Sequence, residues 1–73
     1  MAPRSVKSRF GTRLRQIRDE RGYSQEELAE KAGLHRNYVG GIERGERNVA
    51  LENIVKLAKA LSIKPGDLFS DFK

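Results

Sequence analysis

The sequence predicts an all-α domain of five short helices. Apolar residues recur at helical spacing in several segments, and no stretch of five or more residues alternates as a half-buried strand does. The chain has 73 residues, which is enough for one small domain and too few for two. It contains no cysteine, so neither disulfides nor thiolate-bound zinc explain the stability of so short a chain. Packed helices must supply the core.

Composition also limits the function. No nucleophile, base or metal-ligand set is arranged in the sequence, and His35 has no second ligand beside it, so neither an enzyme nor a cofactor is expected. No apolar run reaches the roughly 20 residues of a membrane span, and the first residues lack the apolar part of a secretory signal, so we expect a cytoplasmic protein. The net charge of +5 suits a polyanionic partner. A solvated basic first helix would explain most of that charge equally well.

The first helix is indicated by Phe10, Leu14 and Ile17, which follow an i, i+4, i+7 pattern. It should end near Arg21, because Gly22 suits the left-handed position that follows many helices. The residues before it, 1–5, are expected to form a flexible arm, and residues 6–73 the domain itself.

A capping box marks the start of the second helix. The Ser24 hydroxyl should accept from the backbone N–H of Glu27, and the Glu27 carboxylate should accept in turn from the backbone N–H of Ser24. The helix therefore begins at Gln25, and Gly33 ends it. Its apolar face comprises Leu28, Ala29 and Ala32.

Three further elements follow. A third helix begins around His35, and a fourth covers roughly 51–61. Val49 and Ala50 offer no side chain to cap the fourth helix, so Asn48 is the alternative cap. Pro65 suits the first position of a short fifth helix, 65–69. The apolar stripe of the fourth helix comprises Leu51, Ile54, Leu57, Ala58 and Leu61.

The segment between Gln25 and Glu43 has the spacing of a helix-turn-helix unit. Two short helices that cross steeply need a small residue where their backbones approach, which Ala29 supplies, and a permissive turn residue, which Gly33 supplies. The angle between them would be filled by Leu28, Leu34, Val39 and Ile42. Such a unit typically presents its second helix to the major groove of DNA.

These residues resemble the Cro/lambda-repressor-like helix-turn-helix family, also called the XRE type. The resemblance covers nearly the whole chain and is carried by LRQIRDERGYSQEELAEKAGL, YVGGIERGERN and LENIVKLAKALSI. Within the family, HRNYVGGIERGERN is most similar to restriction-modification controller proteins, which are single-domain DNA-binding dimers.

The resemblance implies a lambda-repressor-like fold and a sequence-specific transcriptional regulator. It would act on double-stranded DNA as a homodimer, at a palindromic operator whose half-sites lie roughly 34 to 36 Å apart. The similarity to controller proteins further implies binding upstream of its own gene and of a restriction enzyme gene, with RNA polymerase as an additional partner.

The outer face of the third helix carries the candidate base contacts. At 100° per residue Val39 and Ile42 face inward, whereas Asn37 and Gly41 point away. Arg36 suits guanine O6 and N7, and Asn37 suits adenine, although Asn also favours helix starts. Gly41 would let the backbone approach a base or leave room for a thymine methyl. Alternatively, this glycine and the one before it permit packing against a neighbouring helix.

Other residues are candidates for contacts with the DNA backbone. Gln25 lies at the start of the second helix, where free amides and the positive end of the helix dipole attract phosphate. The resemblance implies that Gln25 binds phosphate and that the basic loop after the third helix contacts phosphates or flanking bases. Tyr38 would reach phosphate or sugar, or would instead cover the edge of the core. The full set of expected backbone contacts is Ser24, Gln25, Tyr38, Arg44, Arg47 and Asn48.

Two further groups are expected to be structural. In the resembled family, residues matching Arg18 and Glu43 form a buried ion pair, which implies the same pair here. Apolar residues near the chain end suggest a dimer interface. They are Ile63, Leu68, Phe69 and Phe72, and the alternative is that they fold back into the monomer core.

A second function class remains open at this point. The same fold serves as an antitoxin-like or other protein-interaction module, which would hold a protein partner instead of an operator. A non-specific nucleic-acid binder would show steep salt dependence and little preference between sequences.

Overall fold

A computed structural model of the protein describes residues 5–70 and residue 72. In that part of the chain four α-helices are followed by one 3₁₀-helix, and no strand occurs. The prediction of an all-helical domain is therefore confirmed. The expected arm, residues 1–5, lies outside the described residues apart from Ser5, whose side chain caps the first helix. The elements are α1 (Val6–Glu20), α2 (Gln25–Ala32), α3 (Arg36–Glu43), α4 (Leu51–Leu61) and the 3₁₀-helix (Pro65–Phe69).

The prediction of five α-helices is wrong at the last element. The segment Pro65–Phe69 is a 3₁₀-helix, in which the N–H of Asp67 donates to the carbonyl of Lys64 at 2.9 Å. Proline contributes no N–H, and a run of five residues offers few i→i−4 bonds, so the tighter i→i+3 pattern prevails. The element still contributes to the core, because Leu68 is fully buried.

One hydrophobic core lies between the helices. Helix α3 packs against α1 and α2, and helix α4 packs against α2. The 3₁₀-helix completes the core by packing against α1 and α4. The expected stripe on α4 needs one correction, because Leu51 is 75% exposed. Leu51 opens the helix, and its turn extends past the edge of the core. No side chain caps this end, where Ala50 is the N-cap residue.

The turn that leads into α3 has the predicted chemistry. The capping box of α2 forms, with the Ser24 N–H donating to Glu27 at 2.9 Å and the Glu27 N–H donating to the Ser24 hydroxyl at 3.0 Å. The backbone hydrogen bond from Ser24 holds the pKa of Glu27 below its usual value. Gly33 adopts a left-handed conformation with φ of 71°, which glycine reaches without strain. His35 then caps α3, because its Nδ1 accepts from the Asn37 N–H at 3.0 Å.

Gly11 determines how closely α1 approaches α3, a feature that the sequence analysis missed. A Cβ atom at this position would collide with the carbonyl oxygen of Ile42 and would lie 2.9 Å from that of Glu43. The neighbours are backbone atoms, which cannot rotate away as a side chain does. Absence of a side chain on Gly11 therefore allows α1 to lie directly against the end of α3.

Replacing Gly11 with Ala should lower the free energy of unfolding by about 1 to 3 kcal/mol, because the overlap with α3 outweighs the better helix propensity of Ala. Urea or thermal unfolding followed by circular dichroism measures this change. Gly66→Ala is the matched control, since a Cβ atom there meets nothing within 4 Å. Equal stability of the two variants would contradict the proposed close contact.

Candidate nucleic-acid interface

A buried ion pair anchors the site. Arg18 on α1 donates from Nε to one Glu43 carboxylate oxygen at 2.7 Å and from Nη2 to the other at 3.0 Å. The Arg18 and Glu43 side chains are 10% and 3% exposed. A third donor of the guanidinium, Nη1, reaches the Tyr23 carbonyl at 2.8 Å. The hydrogen bonds to Glu43 raise the pKa of Arg18, so its guanidinium stays charged, and the two contacts fix the end of α3 to α1.

Gln25 connects this ion pair to the surface. Its side-chain amide donates to Glu43 at 3.0 Å, and its side chain lies beside the backbone of Gly40. Gln25 is half-buried, and in this conformation one N–H of its NH₂ group is donated to Glu43. As the first residue of α2, it also has a backbone N–H in the unsatisfied first turn, which remains suited to an anion.

A polar groove of about 500 Å³ opens above the ion pair. It separates the start of α2 from the outer side of α3, and three arginines contribute to its lining. The structure brings together here five of the residues predicted to contact DNA, and it adds Glu26, which the sequence analysis missed. The lining residues are Arg18, Ser24, Gln25, Glu26, Arg36, Asn37, Gly40 and Arg44.

Two arginines at this groove carry acidic partners. Arg36 donates to Glu26 at 3.1 Å, and both side chains are largely exposed. Arg44 donates to Glu46 at 3.0 Å in an equally exposed pair. Exposed pairs of this kind contribute little to folding stability, because water screens them. Both arginines are therefore available to exchange these carboxylates for another anion.

The glycine pair of α3 lies under side chains, which corrects the expectation of an open outer face. Both glycines are buried. A Cβ atom on Gly41 would lie 2.9 Å from Cγ of Arg47, and one on Gly40 would lie 3.1 Å from a guanidinium nitrogen of Arg44. The Arg47 guanidinium itself lies 5.9 Å from the ring centroid of Tyr38. Gly41 can meet a base only after Arg47 moves aside.

Two other predicted contacts, Tyr38 and Asn48, do not line the groove. The hydroxyl of Tyr38 accepts from Asn53 at 3.0 Å, and its ring packs against the core, as the alternative interpretation of this residue allowed. Asn48 is exposed but lines a different, apolar pit together with Val6 and Phe69. The groove thus does not include Asn48.

The apolar residues near the chain end differ in how deeply they are buried. Leu68, which was expected in a dimer interface, is fully buried in the monomer core and exposes no surface for such a contact. Ile63 and Phe72 are partly buried against the same core, while Phe69 remains 37% exposed. The Phe69 ring packs between those of Phe10 and Phe72 in tilted and edge-to-face arrangements, with centroid distances of 5.3 and 5.5 Å. Much of this segment folds back onto the monomer.

A metal site and a membrane-spanning helix are both absent from the residues that the structure describes. No group of three or more His, Cys, Asp or Glu side chains is placed to hold a metal ion in residues 5–70 and 72. Over the same residues, no helix has the length and apolar character needed to cross a membrane.

Two short helices that cross at a left-handed glycine, with a basic groove along the second, define a helix-turn-helix protein. A sequence profile of the helix-turn-helix family matches residues 14–68, most of the chain. The chain belongs to this family.

Comparison with individual proteins gives more detail than the family profile does. The control protein C.BamHI of Bacillus amyloliquefaciens is 49% identical over 65 residues, which cover 88% of this chain and 80% of the relative. The control protein C.MunI of a Mycoplasma species is 42% identical over 69 residues, or 93% of each chain. Among solved structures, the restriction-modification controller protein C.AhdI from Aeromonas hydrophila superposes with a TM-score of 0.86 at 59% identity, covering 86% of this chain and 96% of its own.

Replacing Glu43 with Ala should lower the free energy of unfolding by about 3 to 5 kcal/mol, because Arg18 would be left charged and buried without its partner. DNA binding would then be lost as a consequence of unfolding. Thermal unfolding of Glu43→Ala beside Glu46→Ala measures the effect, since Glu46 forms only an exposed pair. An unchanged melting temperature for Glu43→Ala would show that the pair does not stabilise the domain.

Proposed function

We propose that this protein is a sequence-specific DNA-binding transcriptional regulator of the restriction-modification controller type, and not an enzyme. The observation that carries the proposal is near full-length similarity to three proteins named as control or controller proteins, at 42 to 59% identity. The groove beside α3 supports it independently, because its exposed arginines suit a polyanion.

In the proposed complex α3 enters the major groove of double-stranded DNA. Arg36 and Asn37, both exposed at the start of α3, contact base edges, with guanine and adenine as their preferred partners. Gly41 admits close approach of the backbone once Arg47 has turned toward a phosphate. The residues that position the DNA backbone are Ser24, Gln25, Tyr38, Arg44, Arg47 and Asn48.

The regulator would act as a homodimer on a palindromic operator in the cytoplasm. Residues 6–73 would supply both the DNA-binding unit and, near their end, the self-association surface. Exposed or half-exposed apolar side chains there are candidates for the contact, namely Ile63, Phe69 and Phe72. Binding upstream of its own gene and of a restriction enzyme gene, with contact to RNA polymerase, completes the proposed role.

Selection of bound sequences from a random duplex pool tests this function. With purified protein at about 0.15 M salt, where purely electrostatic binding is weak, we expect enrichment of a two-fold symmetric site with half-sites about one helical turn apart. Arg36→Ala should relax the preference at one position of each half-site and cost about 1 to 3 kcal/mol there. Lys59→Ala, which removes an equal charge from α4 outside the groove, should leave the site unchanged.

The other outcomes of the selection are equally decisive. A folded protein that enriches no sequence would contradict the proposal and favour a protein-interaction module. An enriched site without symmetry would retain DNA recognition but contradict the homodimer.

A further inference from the structure

A carboxylate lies inside the groove that we assign to DNA. Glu26 is in the first turn of α2, and its Oε2 accepts from Nη1 of Arg36 at 3.1 Å. Both side chains line the groove, and they are 70% and 64% exposed. A pair this exposed contributes little to folding stability, because water screens it. The stability of this ion pair therefore does not explain why an acid lies in a surface that faces a polyanion.

The geometry of the pair leaves Arg36 competent to contact a base. The bond to Glu26 uses one N–H of Nη1, whereas a guanidinium carries five donors in a rigid plane. Guanine takes two parallel donors, at O6 and N7. The edge formed by Nε and Nη2 remains for that contact while Nη1 stays on Glu26. The carboxylate thus restricts where the guanidinium plane points without occupying all of its donors.

We propose that Glu26 is a specificity-determining residue, which positions Arg36 for base contact and withholds it from phosphates. This inference rests on the proposed function. In a complex with the correct base, Arg36 lies between guanine and Glu26 and satisfies both. With a wrong sequence, Arg36 either stays on Glu26 and gives no phosphate contact, or leaves Glu26 unpaired against the DNA. Non-specific binding depends on phosphate contacts, so Glu26 weakens the non-specific complex selectively.

Glu46 provides a matched comparison. Its carboxylate accepts from Nε of Arg44 at 3.0 Å, and the two side chains are 59% and 60% exposed. The pair resembles that of Glu26 and Arg36 in charge, exposure and distance. The difference is its partner, since we assign Arg44 to the DNA backbone and Arg36 to bases. Neutralising either acid changes the net charge of this surface equally.

The test compares Glu26→Gln and Glu46→Gln with the unmodified protein. Affinity is measured at one salt concentration for the selected site and for a scrambled duplex, and the sequence selection is repeated. For Glu26→Gln we expect the ratio of specific to non-specific affinity to fall about tenfold, as expected when a bidentate arginine loses its orientation. Base preference should relax at the same position that Arg36→Ala affects. Glu46→Gln should strengthen binding to both duplexes by the same factor.

Two results would overturn the inference. Equal strengthening of both duplexes by Glu26→Gln would show that this acid acts by repulsion alone, and an unchanged ratio with unchanged affinities would show that it has no role. If the unmodified protein discriminates and Glu26→Gln gives either result, only the inference fails. If the unmodified protein prefers no sequence, both the proposed function and this inference fail. Melting temperatures verify that the exposed substitutions leave the fold intact.

Discussion

The Arg18–Glu43 ion pair is the interaction on which the rest of this structure depends. It joins the last turn of α1 to the last residue of α3, and both charges are almost completely removed from water. Two charges in that position are tolerated because each nitrogen of Arg18 and each oxygen of Glu43 has a hydrogen-bond partner, with Tyr23 and Gln25 contributing beside the pair itself. Among the described residues, no buried side-chain nitrogen or oxygen lacks a hydrogen-bond partner.

Contacts with α1 and α2, together with the cap at its own start, determine the position of α3. His35 fixes the start of α3, Glu43 holds its end to α1, and Gln25 ties the same carboxylate to α2. The close approach at Gly11 adds a steric limit to these polar contacts. A helix of eight residues has little stability of its own, so its orientation is imposed by neighbours. Such rigidity is what a recognition surface requires, because misplacement of the helix would move every side chain on it.

Local signals in the sequence were sufficient for the boundaries of the helices. The capping box at Ser24 and the turn at Gly33 involve residues close together in the chain, so their chemistry can be interpreted without the fold. Gly11 gave no such signal, because the carbonyls that exclude a side chain there belong to α3. Leu51 fits the apolar period of α4, but periodicity identifies a face and says nothing about where the core ends.

The candidate site was predicted less completely than the fold, for a related reason. Which residues lie near the groove followed from helical spacing, but the paths of long side chains did not. Helical angles place Gly41 on the outer face, yet Arg47 crosses in front of it. In the same way, the contact between Glu26 and Arg36 depends on how two helices meet and on which rotamers result.

The covered glycines have a consequence for the solvent around α3. Helical glycine normally leaves its peptide groups open to water, which competes for the backbone hydrogen bonds and favours unwinding. Here the aliphatic part of Arg47 lies over one glycine, and the side chains of Arg44 and Gln25 lie beside the other. Side chains of other residues thus shield the backbone of the two glycines, which have no side chain of their own. The backbone at the two adjacent glycines is therefore shielded from water and remains helical, while this part of α3 keeps the small cross-section that glycine gives.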